Sequence, residues 1–224
     1  MTSKEASDLR SQVEKRRGVV LLACKPCVVL DATAKAHLHD HLRWVREALV
    51  WKLDGLSEYD IRRPLTKTGT NLLGLVKHNA ISDARYFGEV FGRPFPEPLP
   101  RWDDPTAAGA DHWATEHETR ADVIELYRRV WLHSDATIDE LQLDDVGHVP
   151  WWDEDVPLFN VMVHRLSDAT RHAGHADILR EGLDGSTGVD RDSTPPPGLE
   201  EHWRRRHETI ERAARAAPPT TPAR

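Results

Sequence analysis

The chain has 224 residues and a formal net charge of −7, with 30% charged and 39% hydrophobic residues. That length suits one domain with tails, the acidic balance lacks the basic footprint of a nucleic-acid binder, and no apolar run approaches the roughly 20 residues of a membrane span. The two cysteines, Cys24 and Cys27 in Cys-Lys-Pro-Cys, have no second pair to complete a four-cysteine zinc site and read as reduced thiols. The apolar run Gly18–Cys24 is broken at once by Lys25 and Pro26 and no small-residue cleavage site succeeds it, so the expected compartment is the cytoplasm.

In chain order, residues 1–33 lack the helical periodicity of the segments after Ala34 and read as a poorly ordered N-terminal extension. From Ala34 to Leu56, Leu38, Leu42, Val45, Leu49 and Leu53 recur at three and four residues, the stripe of a first helix. Gly55 and Ser57 end it. Asn71 is placed to cap a second helix over 72–91, with Leu72, Leu75, Val76 and Phe87 on its inner side. The four prolines at 94, 96, 98 and 100 cannot continue a helix, and residues 93–117 form a long loop holding Trp102 and Trp113. Loops of that length are often functional. A third helix is expected over 120–141, a turn region with Trp151 and Trp152 over 144–155, and a fourth helix over 158–183 ending at Gly185. Pro195, Pro196 and Pro197 then mark a linker before a polar helix over 199–216 and a loose tail over 218–224. The pattern predicts an all-α chain with a four-helix bundle over 34–185, a long loop between helices 2 and 3, and a C-terminal segment over 186–224.

The chemistry concentrates on the fourth helix. Asp168 and His172 are four residues apart, so they share a helical face and can reach one metal ion together. A third ligand has to come from another helix, and His78 on the second offers one. Imidazole and carboxylate suit zinc or nickel, with iron and manganese as alternatives. Three protein ligands leave room for water or substrate. His175, three residues after His172, reads as an outer partner or a satisfied buried histidine, and the neighbouring Gly174 suggests close packing there; His164 could line a pocket. Arg85 lies seven residues after His78 on the same face, where it could hold an anionic group of a ligand or pair with a bundle carboxylate. Trp151 and Trp152 could wall a pocket or pack the bundle end. The rival metal site is His37 and His41 with Asp40, read chiefly as a solvated helix end.

Four segments carry a resemblance: Glu47–Ser57, Leu72–His78, Pro150–Trp152 and, above all, Thr170–Gly185 (Thr-Arg-His-Ala-Gly-His-Ala-Asp-Ile-Leu-Arg-Glu-Gly-Leu-Asp-Gly). From Ala34 to Gly185 the chain resembles the DinB-like superfamily, in a branch of unknown function related to the metal-binding domain of mycothiol-dependent maleylpyruvate isomerase. The resemblance implies an up-down-down-up four-helix bundle. It also implies a divalent ion held by one histidine of the second helix and two residues of the last, which fall here on His78, Asp168 and His172. Asp168 stands where that branch usually has the longer glutamate. It further implies thiol-dependent transfer or isomerisation with mycothiol or bacillithiol and a small-molecule electrophile as the second substrate; the residues read above as able to line or hold such a cofactor are Arg85, Trp151 and Trp152. Two alternatives stand beside this reading: a non-catalytic metal-binding, stress-associated bundle, as a homodimer or otherwise, and a metal-assisted hydrolase.

Overall fold

The computed structural model describes residues 28–217 apart from 108 and 194. Cys24, Cys27, most of the expected N-terminal extension and the tail over 218–224 lie outside the described residues. Contacts divide the chain after Ala34, and every side chain discussed below belongs to the larger unit, Lys35–Arg224. The helices are α1 (Val28–Trp51), α2 (Glu58–Arg62), α3 (Leu72–Phe87), α4 (Arg120–Glu140), α5 (Leu158–Asp184) and α6 (Glu200–Ala216), with a 3-10 turn at Glu89–Phe91 and two strands, β1 (Val146–Val149) and β2 (Glu154–Pro157).

Local chemistry explains the boundaries. Helix α1 starts at Val28, earlier than the apolar stripe predicts, because no breaker lies between Pro26 and Ala34. Asn71 caps α3 by accepting from the Gly74 amide at 2.7 Å. Thr119 and Asp122 form a reciprocal capping box at the start of α4. Ser57 caps the short α2 by accepting from the Asp60 amide. Helix α5 ends at Gly185, as expected.

The chain is mostly helical, but all-α is corrected by one feature. The segment expected to be a turn holds an antiparallel hairpin in which Val146 pairs with Pro157 and Val149 with Glu154. The sequence signal is short: Gly147 and Val149 are buried between exposed residues, and Val156 between exposed Asp155 and half-buried Pro157, an alternation of period two too brief to stand out. Asp153 turns the chain with φ 56°, a conformation aspartate tolerates better than most residues.

Helix α3 is the centre of the molecule. It was expected to bury one face; it buries every residue except His78. Its Leu73, Val76, Ala80 and Phe87 share a core with Leu42 and Leu49 of α1, Leu53 just beyond it, Tyr127 and Ile138 of α4, and Val161 and Met162 of α5. The helix directions come from particular pairs. Lys35 meets Leu141 while Arg120 reaches the Leu53 carbonyl, so α1 and α4 are antiparallel. Lys77 pairs with Glu118 just ahead of α4, and the Arg93 carbonyl just beyond α3 accepts from His133 late in α4, so α3 and α4 are parallel. His78 packs against His172 and Tyr86 against His164, so α3 and α5 are antiparallel. Helix α6 buries none of its residues. Among the described residues, no helix is long and apolar enough to cross a membrane.

A buried ion network ties the helices together. Arg46 of α1 and Arg165 of α5, both fully buried, each donate through Nε to one oxygen of Asp83 on α3, at 2.9 Å. Arg46 also donates to Asp135 of α4 at 2.6 Å, and Arg165 to Asn79 at 3.2 Å. Buried charges of this kind persist only when paired, since an isolated one costs several kcal/mol.

Candidate metal centre

The antiparallel pairing of α3 and α5 sets two helical faces against each other. On α3 the successive residues are His78, Ser82 and Tyr86; on α5, in the opposite direction, His172, Asp168 and His164. The rings of His78 and His172 meet with centroids 4.7 Å apart at 69°. One ligand atom each from His78, Asp168 and His172 lie within 4.8 Å of one another. Two rings at a steep angle can turn in-plane lone pairs toward a common point.

The protonation states favour cation binding. Burial pushes the His78 imidazolium down, so the ring is neutral near pH 7 although its bond to Asp111 works the other way. Its Nδ1 lies 2.7 Å from Asp111 Oδ2. Burial alone would raise Asp111, but the His78 bond and the nearby His112 outweigh it and hold the carboxyl below its usual range. Asp111 is therefore the acceptor, Nδ1 carries the proton, and the Nε2 lone pair of His78 is free. Burial likewise opposes ionisation of Asp168, and the hydrogen bond to His172 and the charge of Arg165 overcome it, so Asp168 is firmly anionic. Arg165 Nη1 donates to Asp168 Oδ2 at 2.6 Å, while Oδ1 is 3.5 Å from His172 Nε2. His172 Nδ1 is buried without a hydrogen-bond partner. An orphaned imidazole nitrogen, a free lone pair and an ionised carboxylate are the donor set a divalent cation takes, so these residues fit the ion.

A second group, His78, Asp111 and His112, also has ligand atoms within 4.8 Å of one another. Here the rings of His78 and His112 stack at 4.3 Å with only 13° between planes. Parallel rings hold their in-plane lone pairs side by side instead of aiming them at one ion, so the first group is the better centre. Asp111 and His112 were missed by sequence reasoning. The signals were the length of the 93–117 loop and the Asp-His pair within it, and neither says which helix the loop would cover.

The remaining expected residues lie elsewhere. Arg85 is buried and fully engaged on its Nε and Nη2 sides, donating to Glu89 and, at 2.9 Å, to Asp103. Trp102 and Trp151 cover its guanidinium at 3.9 and 4.3 Å. This is the salt-bridge alternative, and Arg101 with Arg85 holds Asp103 down at about 2. Trp151 donates to the Tyr86 hydroxyl at 3.0 Å, and Trp152 packs against Tyr86 and His164. Both tryptophans thus stand at the Tyr86 end of the α3–α5 contact, eight residues or about 12 Å along the helix from His78. His175 is exposed, neither a satisfied buried histidine nor crowded: a Cβ on Gly174 would meet open space. His37, Asp40 and His41 are exposed and line a shallow groove with Trp44.

Comparison with known proteins gives two results. No curated protein matches the chain. Residues 37–185, well over half of it, match the family described as Mycothiol-S-transferase; the segment contains His78, Asp168 and His172, and the chain belongs to this family of the DinB-like superfamily.

Proposed function

We propose that the chain is a divalent-metal-dependent S-transferase that joins mycothiol, or a thiol like it, to a small electrophile, with His78, Asp168 and His172 as the ligands of a zinc or nickel ion. The observation that carries this reading is the convergence of those three side chains from two antiparallel helices, with the His172 nitrogen left orphaned. The pairwise helix directions support an up-down-down-up four-helix bundle of α1, α3, α4 and α5 around them. The cytoplasm, where low-molecular-weight thiols stay reduced, is the matching compartment.

A divalent ion bound here would supply the Lewis acidity that keeps a thiol ionised near neutral pH. The protein's own residues do the rest. Neutral His78 offers a lone pair without a proton to displace, and His172 brings a buried Nδ1 that has no hydrogen-bond partner. Arg165 fixes one oxygen of Asp168 and leaves the other toward His172. The new bond is sulfur to carbon; the leaving group departs with its electron pair, or an unsaturated acceptor takes up a proton instead.

The test is metal analysis of the purified protein followed by thiol consumption with mycothiol and a fluorogenic haloalkyl electrophile. The expected result is an equimolar ion and a rate that disappears on chelation and returns with zinc or nickel. Metal-loaded protein that leaves the thiol rate at its uncatalysed value would support the non-catalytic reading, and release of product without thiol the hydrolytic one.

A further inference from the structure

We propose that Asp111, carried in by the long loop between α3 and α4, is the positioning residue that fixes the tautomer and aim of His78, and that Gly74 is the seat that lets the loop deliver it. The inference rests on the proposed function only in calling the free His78 nitrogen the metal-facing one. Asp111 is 1% exposed, and its Oδ2 lies 2.7 Å from His78 Nδ1. A carboxylate has no proton to give, so Nδ1 must donate and the lone pair must reside on Nε2. Ser82 Oγ lies 3.5 Å from Nε2, a weak contact.

The loop is pinned beside this bond by one face of α3. Asn71 donates to the His112 carbonyl at 3.3 Å and buried Lys77 to the Trp113 carbonyl at 3.0 Å. Lys77 also holds Glu118, which accepts from the Thr115 amide at 2.7 Å. Between Asn71 and Lys77 lies Gly74. A Cβ there would come within 1.9 Å of the His112 carbonyl oxygen and 2.6 Å of its carbon. Backbone cannot yield as a flexible side chain does, so any larger residue at position 74 displaces the segment that bears Asp111.

The experiment uses full-length protein freed of metal and labelled with 15N. The His78 ring nitrogen shifts report the tautomer, and competition with a chromophoric chelator reports zinc affinity, in wild type and in Asp111→Asn, Asp111→Ala and Gly74→Ala. Asparagine can still accept from Nδ1 through its oxygen. The expected result is one Nδ1–H tautomer in wild type and Asp111→Asn, a mixture in Asp111→Ala, and zinc binding weaker in Asp111→Ala by roughly 10- to 100-fold. Gly74→Ala, which keeps every ligand and Asp111 itself, should move toward Asp111→Ala in both measurements. Unchanged tautomer and affinity in Asp111→Ala would overturn the proposal. Loss in Asp111→Asn as deep as in Asp111→Ala would also overturn it, by making Asp111 a ligand. If wild type binds no zinc, the proposed function fails, and the tautomer in the metal-free protein still decides the role of Asp111.

Discussion

Helices α1 and α5 both carry metal-type side chains four residues apart: His37 and His41 on α1, Asp168 and His172 on α5. The spacing is identical and the outcomes differ. The α1 pair opens onto solvent beside Asp40 and Trp44. The α5 pair faces His78 across a helix contact, with a buried arginine on its carboxylate. Spacing along one helix determines only that two groups share a face. A centre also needs a third group across the interface and enough burial to leave donors without water.

The largest effect should come from removing one histidine of the α5 pair. His172→Ala is expected to abolish metal binding while far-ultraviolet circular dichroism stays unchanged, because apolar packing and not the ion supplies the core. His41→Ala should leave stoichiometry intact. Loss in His41→Ala and retention in His172→Ala would reverse the comparison and move the site to α1.

A smaller effect separates the two carboxylate environments. Asp168→Asn should weaken zinc binding, since a neutral amide is a poorer ligand and Arg165 loses one of its two anionic partners. Asp168→Glu should bind as well as wild type or better, because the extra methylene extends the carboxylate toward the histidines. Affinities measured in one buffer decide this; equal binding by Asn and Asp would remove Asp168 from the ligand set.

Acid should sharpen the contrast through stability. The His78 imidazolium is disfavoured by burial in the folded state, so the unfolded chain takes up that proton first, at the ordinary histidine value of about 6.5. Stability of the metal-free protein is then fully present above about pH 6.5 and declines as pH falls below it. A steeper loss should set in below about pH 4, where Asp135 and Asp168, both held below the usual carboxylate range, lose the advantage of their arginine and histidine partners. Urea midpoints against pH measure both phases, and His78→Asn should shrink the upper one to the part that His164, whose imidazolium burial also disfavours, contributes. The same upper phase in that variant would assign it to another group.

The smallest effect serves as the control. Thr119→Ala removes the capping box of α4 and should cost about 1 kcal/mol. Zinc affinity should not change, because Thr119 touches none of the ligands. A coupled loss would mean that the start of α4 and the centre respond as one unit.

Much of the fold was legible because its signals are local. The apolar stripe of Leu38 to Leu53, the cap at Asn71 and the stop at Gly185 each act within a few residues. Asp168, His172 and His78 were legible as a set from the helical face and the family resemblance together. Contacts decided by chain crossings were not legible. Nothing near Asp111 in sequence says that a loop beginning with four prolines will return to the start of α3. No local pattern marks Asp83, Arg46 and Arg165 as a buried set, and only their meeting in the interior makes each one tolerable. The hairpin escaped because four-residue strands with a glycine and a histidine carry too little alternation.

The arginine–aspartate–arginine link has a consequence for how the molecule opens. Asp83 on the central helix is screened on one oxygen by α1 and on the other by α5. Should either helix detach by itself, Asp83 would lose the guanidinium on one of its two oxygens while the other helix still covers it, which costs free energy. Partial opening of one helix is therefore penalised beyond its lost apolar contacts. Amide protons of α1 near Arg46, α3 near Asp83 and α5 near Arg165 should exchange with solvent as a single cooperative block, at the rate of global unfolding.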